Sequence, residues 1–468
     1  MRGLFWQCVW RWAAGMVCGL AVGVGLVCCV EPVWAESSVP GGEALELPAL
    51  SPIAPRPNPP DKRFGWIAGT GLDAARRRLG PDMPTGRGVE FGHVEGPATS
   101  YAPNADKPRF AGVRFILHDR DSPPSGHATS TARVIYGAKG AAPGVDTVHV
   151  FPAQGWLTDA YLRVGTTHPT DPTVTARVFT HSWIAPANPG SPLVLRRVDH
   201  VVDERDVLVV AGVNNGKNKP VPALLAPAFN AIAVGLANGN SSGGYTKIER
   251  EGRCKPDIVA PHSVTSYSTP LVAAMAARLI EFADRTETEA DKRTEVLKAA
   301  LLAGAFKSQR WKPEPGKPLD ERLGAGVVDV DRSLLILEGG PTPPGAIDKR
   351  YGYHFGGIES GATDAFVFYA DRPLGECSVI LTWHRHVFGP RLAQAALANL
   401  DLRLSQRESD GSWSVVAESG SEVDNVEHVF KRALPAGVYR LEVSRRGDGL
   451  LAGWEYALAW RVEAPAAK

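Results

Sequence analysis

The chain has 468 residues, 44% of them hydrophobic and 22% charged, the balance of soluble globular protein in two or three domains. Its 51 Lys and Arg against 50 Asp and Glu leave a net charge of +1, which argues against nucleic acid or an anionic membrane as partner. Four of six cysteines (Cys8, Cys18, Cys28, Cys29) lie at the extreme N-terminus, so Cys254 and Cys377 cannot make a disulfide framework. They are read as two buried thiols in different domains, with a single interdomain bridge as the alternative.

Residues 1–35 read as a secretory signal. Arg2 and Arg11 lie in a tryptophan-rich start, residues 13–30 are apolar, and Val33-Trp34-Ala35 offers small residues for cleavage. A retained membrane anchor is the competing reading, since the apolar run is about long enough to span. A lipoprotein site at Cys28 is the weakest, because the residue before it is not small. Cleavage makes the chain secreted, periplasmic or extracellular. Residues 36–82 read as a proline-rich linker, with seven prolines (Pro40, Pro48, Pro52, Pro55, Pro57, Pro59, Pro60) before residue 61.

A second break, rich in glycine and proline, covers 339–345. Between the breaks, at 83–338, strands and helices alternate. Strands are expected at 88–95, 148–151, 178–183, 207–211 and 231–235. Helices are expected from 127 to 136, around 197–202, at 271–283 and at 294–303. This alternation predicts an α/β domain with a parallel sheet, whose sites gather at the carboxyl ends of strands.

The richest stretch is Lys255-Pro256-Asp257-Ile258-Val259-Ala260-Pro261, then Thr265-Ser266-Tyr267-Ser268-Thr269-Pro270 and an alanine-rich helix. It puts Ser266 at a helix N-terminus, where N–H groups and the dipole favour negative charge. A serine nucleophile needs a base, and the base needs an orienting carboxylate. His127, in Ser125-Gly126-His127-Ala128-Thr129-Ser130-Thr131-Ala132, is the candidate base. Glu95, ending the strand His93-Val94-Glu95-Gly96, precedes it by 32 residues and is the candidate acid; Asp119 and Asp121 are nearby alternatives. Asn214, in Val209-Val210-Ala211-Gly212-Val213-Asn214-Asn215-Gly216, is favoured over Asn215 as the oxyanion donor.

These blocks, in the order acid, His, Asn, Ser, resemble those of the subtilisin-like serine proteases. Leu323-Gly324-Ala325-Gly326-Val327-Val328-Asp329 resembles that family's closing segment. The resemblance implies a subtilisin-like domain with catalytic Glu95, His127 and Ser266. It also implies a substrate cleft lined by Ser182 and Trp183, into which a peptide adds as a strand, with Trp183 as a core residue the alternative. Glu95 stands where the family has Asp, Ala128 and Val264 where it has Gly, Thr131 where it has Val and Ser268 where it has Ala.

Residues 346–465 show short alternating strands at 364–369, 377–383, 400–404, 412–417, 428–430, 437–443 and 456–462, the pattern of an all-β sandwich. Pro435-Ala436-Gly437-Val438-Tyr439-Arg440 resembles the pre-peptidase C-terminal domains that accompany secreted bacterial proteases. The polar loop 419–425 is read as a solvated turn, with structural calcium as the alternative. Trp383, Trp454 and Trp460 are read as core, with a sugar-stacking face as the alternative.

The resemblance therefore implies a secreted serine endopeptidase that forms an acyl-enzyme on a polypeptide substrate and requires no cofactor. The chain is read as a monomer, with the sandwich as a binder of protein or cell-surface polymer. The rival reading is a catalytically inactive scaffold, on the grounds of the departures at Glu95, Ala128, Val264 and Ser268. An adhesive or sugar-binding protein is the third.

Overall fold

The computed structural model describes residue 67 and residues 69–96, 99–119, 121–166, 168, 170–447 and 451–465. The signal-like segment 1–35 and the proline run before residue 61 lie outside the described residues. Seven parallel strands form the first layer: β1 (Phe91–Glu95), β2 (Arg114–Leu117), β3 (Thr147–Pro152), β4 (Val178–His181), β5 (Leu208–Gly212), β6 (Ile232–Leu236) and β7 (Ile258–Ala260). They run side by side as β2-β3-β1-β4-β5-β6-β7. β1, β4, β5, β6 and β7 are buried along their whole length, as strands covered on both faces must be.

The helices are α1 (Leu72–Leu79), α2 (Gly126–Ile135), α3 (Ala153–Leu157), α4 (Ser191–Arg205), α5 (Thr265–Asp284), α6 (Thr294–Gly304) and α7 (Val330–Gly339). Phe91, Val148, Val178, Leu208 and Val210 share a core with α2, α5, α6 and α7 on one face. Val94, Phe151, Phe179 and Val209 share another with α3 and α4 on the opposite face. Strand alternation therefore turns His93 and Glu95 toward the α2–α5 side. At Gly92, which faces the other way, a Cβ would lie 2.0 Å from the Phe179 ring, so only glycine lets these strands pair.

The linker reading of 36–82 fails at its C-terminal end. Residues 72–79 form α1, which buries Leu72 and Ala75. Arg78 Nε reaches Asp331 at 2.8 Å and its Nη1 reaches Glu338, both on α7. The folded domain therefore starts ahead of residue 83. Two apolar anchors in an arginine-rich segment gave little periodic signal.

Beyond α7 the chain is antiparallel β. The strands are β8 (Tyr351–Glu359), β9 (Thr363–Ala370), β10 (Leu374–Thr382), β11 (Leu400–Arg407), β12 (Trp413–Ser419), β13 (Val426–Leu434), β14 (Gly437–Arg445) and β15 (Gly453–Glu463). One sheet runs β8-β15-β10-β13; the other runs β9-β14-β11-β12, with the short strand Gly345–Ala346 beside β9. β8 has no counterpart among the expected strands, since Gly352, Gly356 and Gly357 interrupt its apolar pattern. At Gly352 a Cβ would lie 2.6 Å from the Trp460 ring, so that glycine makes room for the tryptophan. Trp383, Trp454 and Trp460 are buried, and their Nε1–H groups donate to the carbonyls of Ala398, His384 and Lys349. They are core, and no sugar-stacking face is built from them. Cys254 and Cys377 are buried free thiols.

The sandwich is docked on the α/β domain through buried polar groups. Arg385 Nε donates to Asp199 at 2.8 Å, and its Nη1 pairs with Glu249. Asn425 Nδ2 donates to the Phe229 carbonyl at 3.0 Å. Asp424, in the loop considered for calcium, turns inward and accepts from the Cys254 N–H at 3.1 Å and from the Ser421 hydroxyl at 2.8 Å. Arg385→Ala strands the buried Asp199 carboxylate, and the expected loss is about 3–5 kcal/mol of unfolding free energy. Urea denaturation of wild type and variant, followed by tryptophan fluorescence, measures it.

Candidate functional site

Three strand ends and two helix starts meet at the carboxyl edge of the parallel sheet. α5 opens from Val264, whose φ of −141° and ψ of 151° are extended backbone that any residue adopts. The family's glycine is thus not required there. Ser266 is the second residue of α5 and half-buried. The Tyr267 and Ser268 N–H groups turn back to the Val264 carbonyl. The Ser266 N–H has no partner among the described residues, as expected in a first helical turn.

Pro270 lies inside α5 and has no N–H to give to the carbonyl four residues earlier, that of Ser266. That carbonyl is satisfied instead by Ser182 Oγ, which donates at 2.9 Å. Ser182 follows β4, so its hydroxyl ties the serine turn to the sheet. It was expected to line the substrate cleft; its hydroxyl is engaged in holding Ser266. Trp183 is half-buried and packs edge-on against His181, with ring centroids 5.8 Å apart. His181 is fully buried with neither ring nitrogen bonded, and burial pushes its pKa down to about 3, so it stays neutral.

Glu95 ends β1 opposite Pro152 of β3 and is almost wholly buried. Its Oε2 is 2.8 Å from His127 Nδ1. Its Oε1 accepts from Thr131 Oγ1 at 2.7 Å and lies 3.2 Å from His93 Nε2. His93 Nδ1 in turn is 3.3 Å from the Tyr136 hydroxyl. Burial by itself would favour the neutral acid, but the hydrogen bonds from His127 and His93 bring the Glu95 pKa down to about 2. The glutamate is therefore a fixed anion. His127 Nδ1 is engaged by Glu95, so the imidazole's carboxylate is Glu95 and neither Asp119 nor Asp121.

Ser125 caps α2 by accepting from the Ala128 N–H at 3.2 Å, which sets His127 in the first turn. The bond to Glu95 raises the His127 pKa against the opposing effect of burial. With Nδ1 on Glu95, Nε2 points away from it, and the side chain is 41% exposed. α2 and α5 pack against one another, and their N-termini carry His127 and Ser266. No hydrogen bond joins the two side chains in this structure.

Asn214 and Asn215 exchange the places expected of them. Asn214 Nδ2 donates to the Pro220 carbonyl at 2.8 Å. Asn215 Oδ1 accepts from the Thr265 N–H at 2.8 Å and from Thr265 Oγ1 at 3.0 Å, immediately beside Ser266. Its Nδ2 has no partner among the described residues. The dipeptide gave no sign of which amide would turn toward the serine, because backbone direction after β5 decides it.

The other departures are accommodated. Ala128 is fully buried in α2, and Ser268 Oγ donates to the Ala260 carbonyl at 3.1 Å. Thr131 replaces an apolar residue but supplies one of the donors to Glu95. His93 was overlooked, although its place two residues before Glu95 puts it on the same strand face.

Among the described residues, one group of side chains could converge on a metal ion: Asp203, Glu295 and His384. It lies at the junction with the sandwich, not at the sheet edge. His384 Nδ1 is 3.2 Å from Asp203 Oδ1 and 3.3 Å from Glu295 Oε1, and its Nε2 is 3.3 Å from Thr294 Oγ1. Burial opposes a charge on His384, but the two carboxylates outweigh it and raise the pKa. The group is held together as a buried cluster of one imidazole between two carboxylates.

A family model described as the subtilase family, peptidase S8, matches residues 117–353. No curated protein matches the chain. Among solved structures, it is similar to the serine protease of Aeromonas sobria, at 14% identity and a TM-score of 0.41, over 90% of this chain and 98% of that one. It is also similar to the patellamide maturation protease PatA, at 20% identity and a TM-score of 0.36, over 54% of this chain and 98% of that one. MycP1 from Mycobacterium smegmatis matches at 19% identity and a TM-score of 0.35, over 56% of this chain and 83% of that one.

The buried carboxylate sets the titration of His127. Its NMR midpoint is expected above the ordinary value of about 6.5, and Glu95→Gln is expected to lower it. A midpoint indifferent to Glu95→Gln contradicts the hydrogen-bonded pair.

Proposed function

We propose that this chain, which belongs to the subtilase family of serine proteases, is an endopeptidase working through Glu95, His127 and Ser266. The observation that carries the reading is the 2.8 Å bond between a buried, ionised Glu95 and His127, at the sheet edge where Ser266 opens α5.

In the proposed reaction, His127 Nε2 takes the Ser266 hydroxyl proton as Oγ attacks the peptide carbonyl carbon. Glu95 stabilises the imidazolium that forms and remains ionised throughout. The negative charge on the carbonyl oxygen falls to the free Ser266 N–H and to Asn215 Nδ2, in place of the Asn214 first expected. His127 then protonates the leaving amine as the C–N bond breaks. Water, deprotonated by the same imidazole, hydrolyses the acyl-enzyme. The bond from His127 to Ser266 is expected to tighten when substrate excludes water, as catalytic hydrogen bonds commonly do.

The scaffold reading rests on the absent bond between His127 and Ser266. Against it stand the extended backbone at Val264, the satisfied hydroxyls of Thr131 and Ser268, and the Ser182 bond that fixes the nucleophile turn. Secretion, supported by the sequence of residues 1–35, belongs to the proposal, as do a monomeric state, independence of any cofactor, and a sandwich that binds protein or cell-surface polymer.

A fluorophosphonate probe is expected to label wild-type protein, with labelling abolished by Ser266→Ala. Folded wild-type protein that never labels establishes the scaffold instead. Glu95→Gln is expected to cut kcat by about 10³–10⁴, whereas Glu95→Asp retains part of it. Asn215→Ala is expected to cost about 10²–10³ in kcat. Asn214→Ala is expected to cost much less, and steady-state kinetics on a peptide substrate separates the two.

A further inference from the structure

A cleft of 390 Å³ opens between the two helices that carry His127 and Ser266. Ser130 and Val134 line it from α2, about one and two turns beyond His127. Tyr267, next in the chain to Ser266, lines the facing wall, with His262 against it at a ring-centroid distance of 4.7 Å. The remaining lining residues are Arg109, Arg133 and Lys139.

The lining thus holds three permanent cations and no carboxylate. The Arg109 guanidinium lies close enough to donate to the Arg133 carbonyl at 3.2 Å. Its Nε is buried without a hydrogen-bond partner. Burial, and then repulsion by Arg133, lowers the Arg109 pKa. Neither Arg133 nor Lys139 has an ion-pair partner among the described residues. Arg78, Arg177, Arg293, Arg332 and Arg385, by contrast, meet carboxylates, and the buried Arg253 and Arg278 donate to backbone carbonyls.

Like charges gathered without counter-charge cost energy that an anionic ligand recovers. A cleft of this size takes one or two side chains. Its walls belong to the helices that carry His127 and Ser266, and Ser130 and Tyr267 bring it to within about one turn of both residues. We infer that this cleft is a substrate subsite for acidic side chains, so that the chain cleaves polypeptides carrying Asp or Glu adjacent to the cut bond. The inference rests on the proteolytic reading above and adds the substrate class to it.

The test is a set of fluorogenic peptides that differ only in Asp, Asn or Lys at each position flanking the cleaved bond. An acidic residue at one of these positions is expected to raise kcat/KM about tenfold over its neutral isostere, with the gain shrinking in high salt. Arg133→Glu combined with Lys139→Glu should reverse the preference toward Lys. Equal rates for Asp, Asn and Lys peptides in wild type, or an acidic preference that survives the charge reversal, overturn the inference. Fluorescence anisotropy of labelled peptides on Ser266→Ala protein reads the subsite without turnover. Tighter binding of the Asp peptide, lost on charge reversal and not matched by free phosphate at the same concentration, supports the subsite even in a protein that fails to label. Indifference to peptide charge there refutes it while leaving the probe result untouched.

Discussion

A single buried carboxylate organises the site. Glu95 sits at the end of a strand covered on both faces, where an isolated anion would be costly and the acid would take up a proton. It stays ionised because both oxygens are occupied, Oε2 by His127 and Oε1 by Thr131 and His93. Each donor comes from an element that the sheet holds in place: His93 from β1 itself, His127 and Thr131 from one face of α2. Thr131 and His93 act as positioning residues, because they meet Glu95 without reaching the cleft. A glutamate has one more rotatable bond than an aspartate, and donors on its far oxygen remove that freedom.

Ser266 is fixed by a different device. Pro270 removes an N–H from the second turn of α5 and so leaves the Ser266 carbonyl without its helical partner. Ser182, at the end of β4, supplies the missing donor. A defect in one helix becomes a tether between helix and sheet. β4 lies next to β1, so the tether brings Ser266 to the same edge as Glu95. Glu95 and Ser266, far apart in sequence, thereby share one rigid frame, as the proposed acyl transfer requires.

The two layers of the molecule are joined with equal care for polar groups. Arg385, Asn425 and Asp424 from the sandwich side each meet a partner in the α/β layer. Buried charge is costly unless paired, so these contacts specify one docking geometry more than they add to stability. They also explain why Asp424, which looked available in the sequence, faces inward.

The sequence by itself determined the α/β-then-β architecture and most strands of the parallel sheet, and it singled out Glu95, His127 and Ser266 as candidates. These follow from local patterning: apolar runs, small residues behind the serine and the acid-His-Ser order. Tertiary structure alone decided which asparagine faces Ser266, since both share one turn and only the path after β5 separates them. It also decided that Ser182 serves the nucleophile turn, that His93 and Thr131 hold the acid, and that α1 and β8 are ordered elements. Each of these depends on a partner far away in the chain, and a hydrogen bond across the fold leaves no periodic trace in the residues that make it.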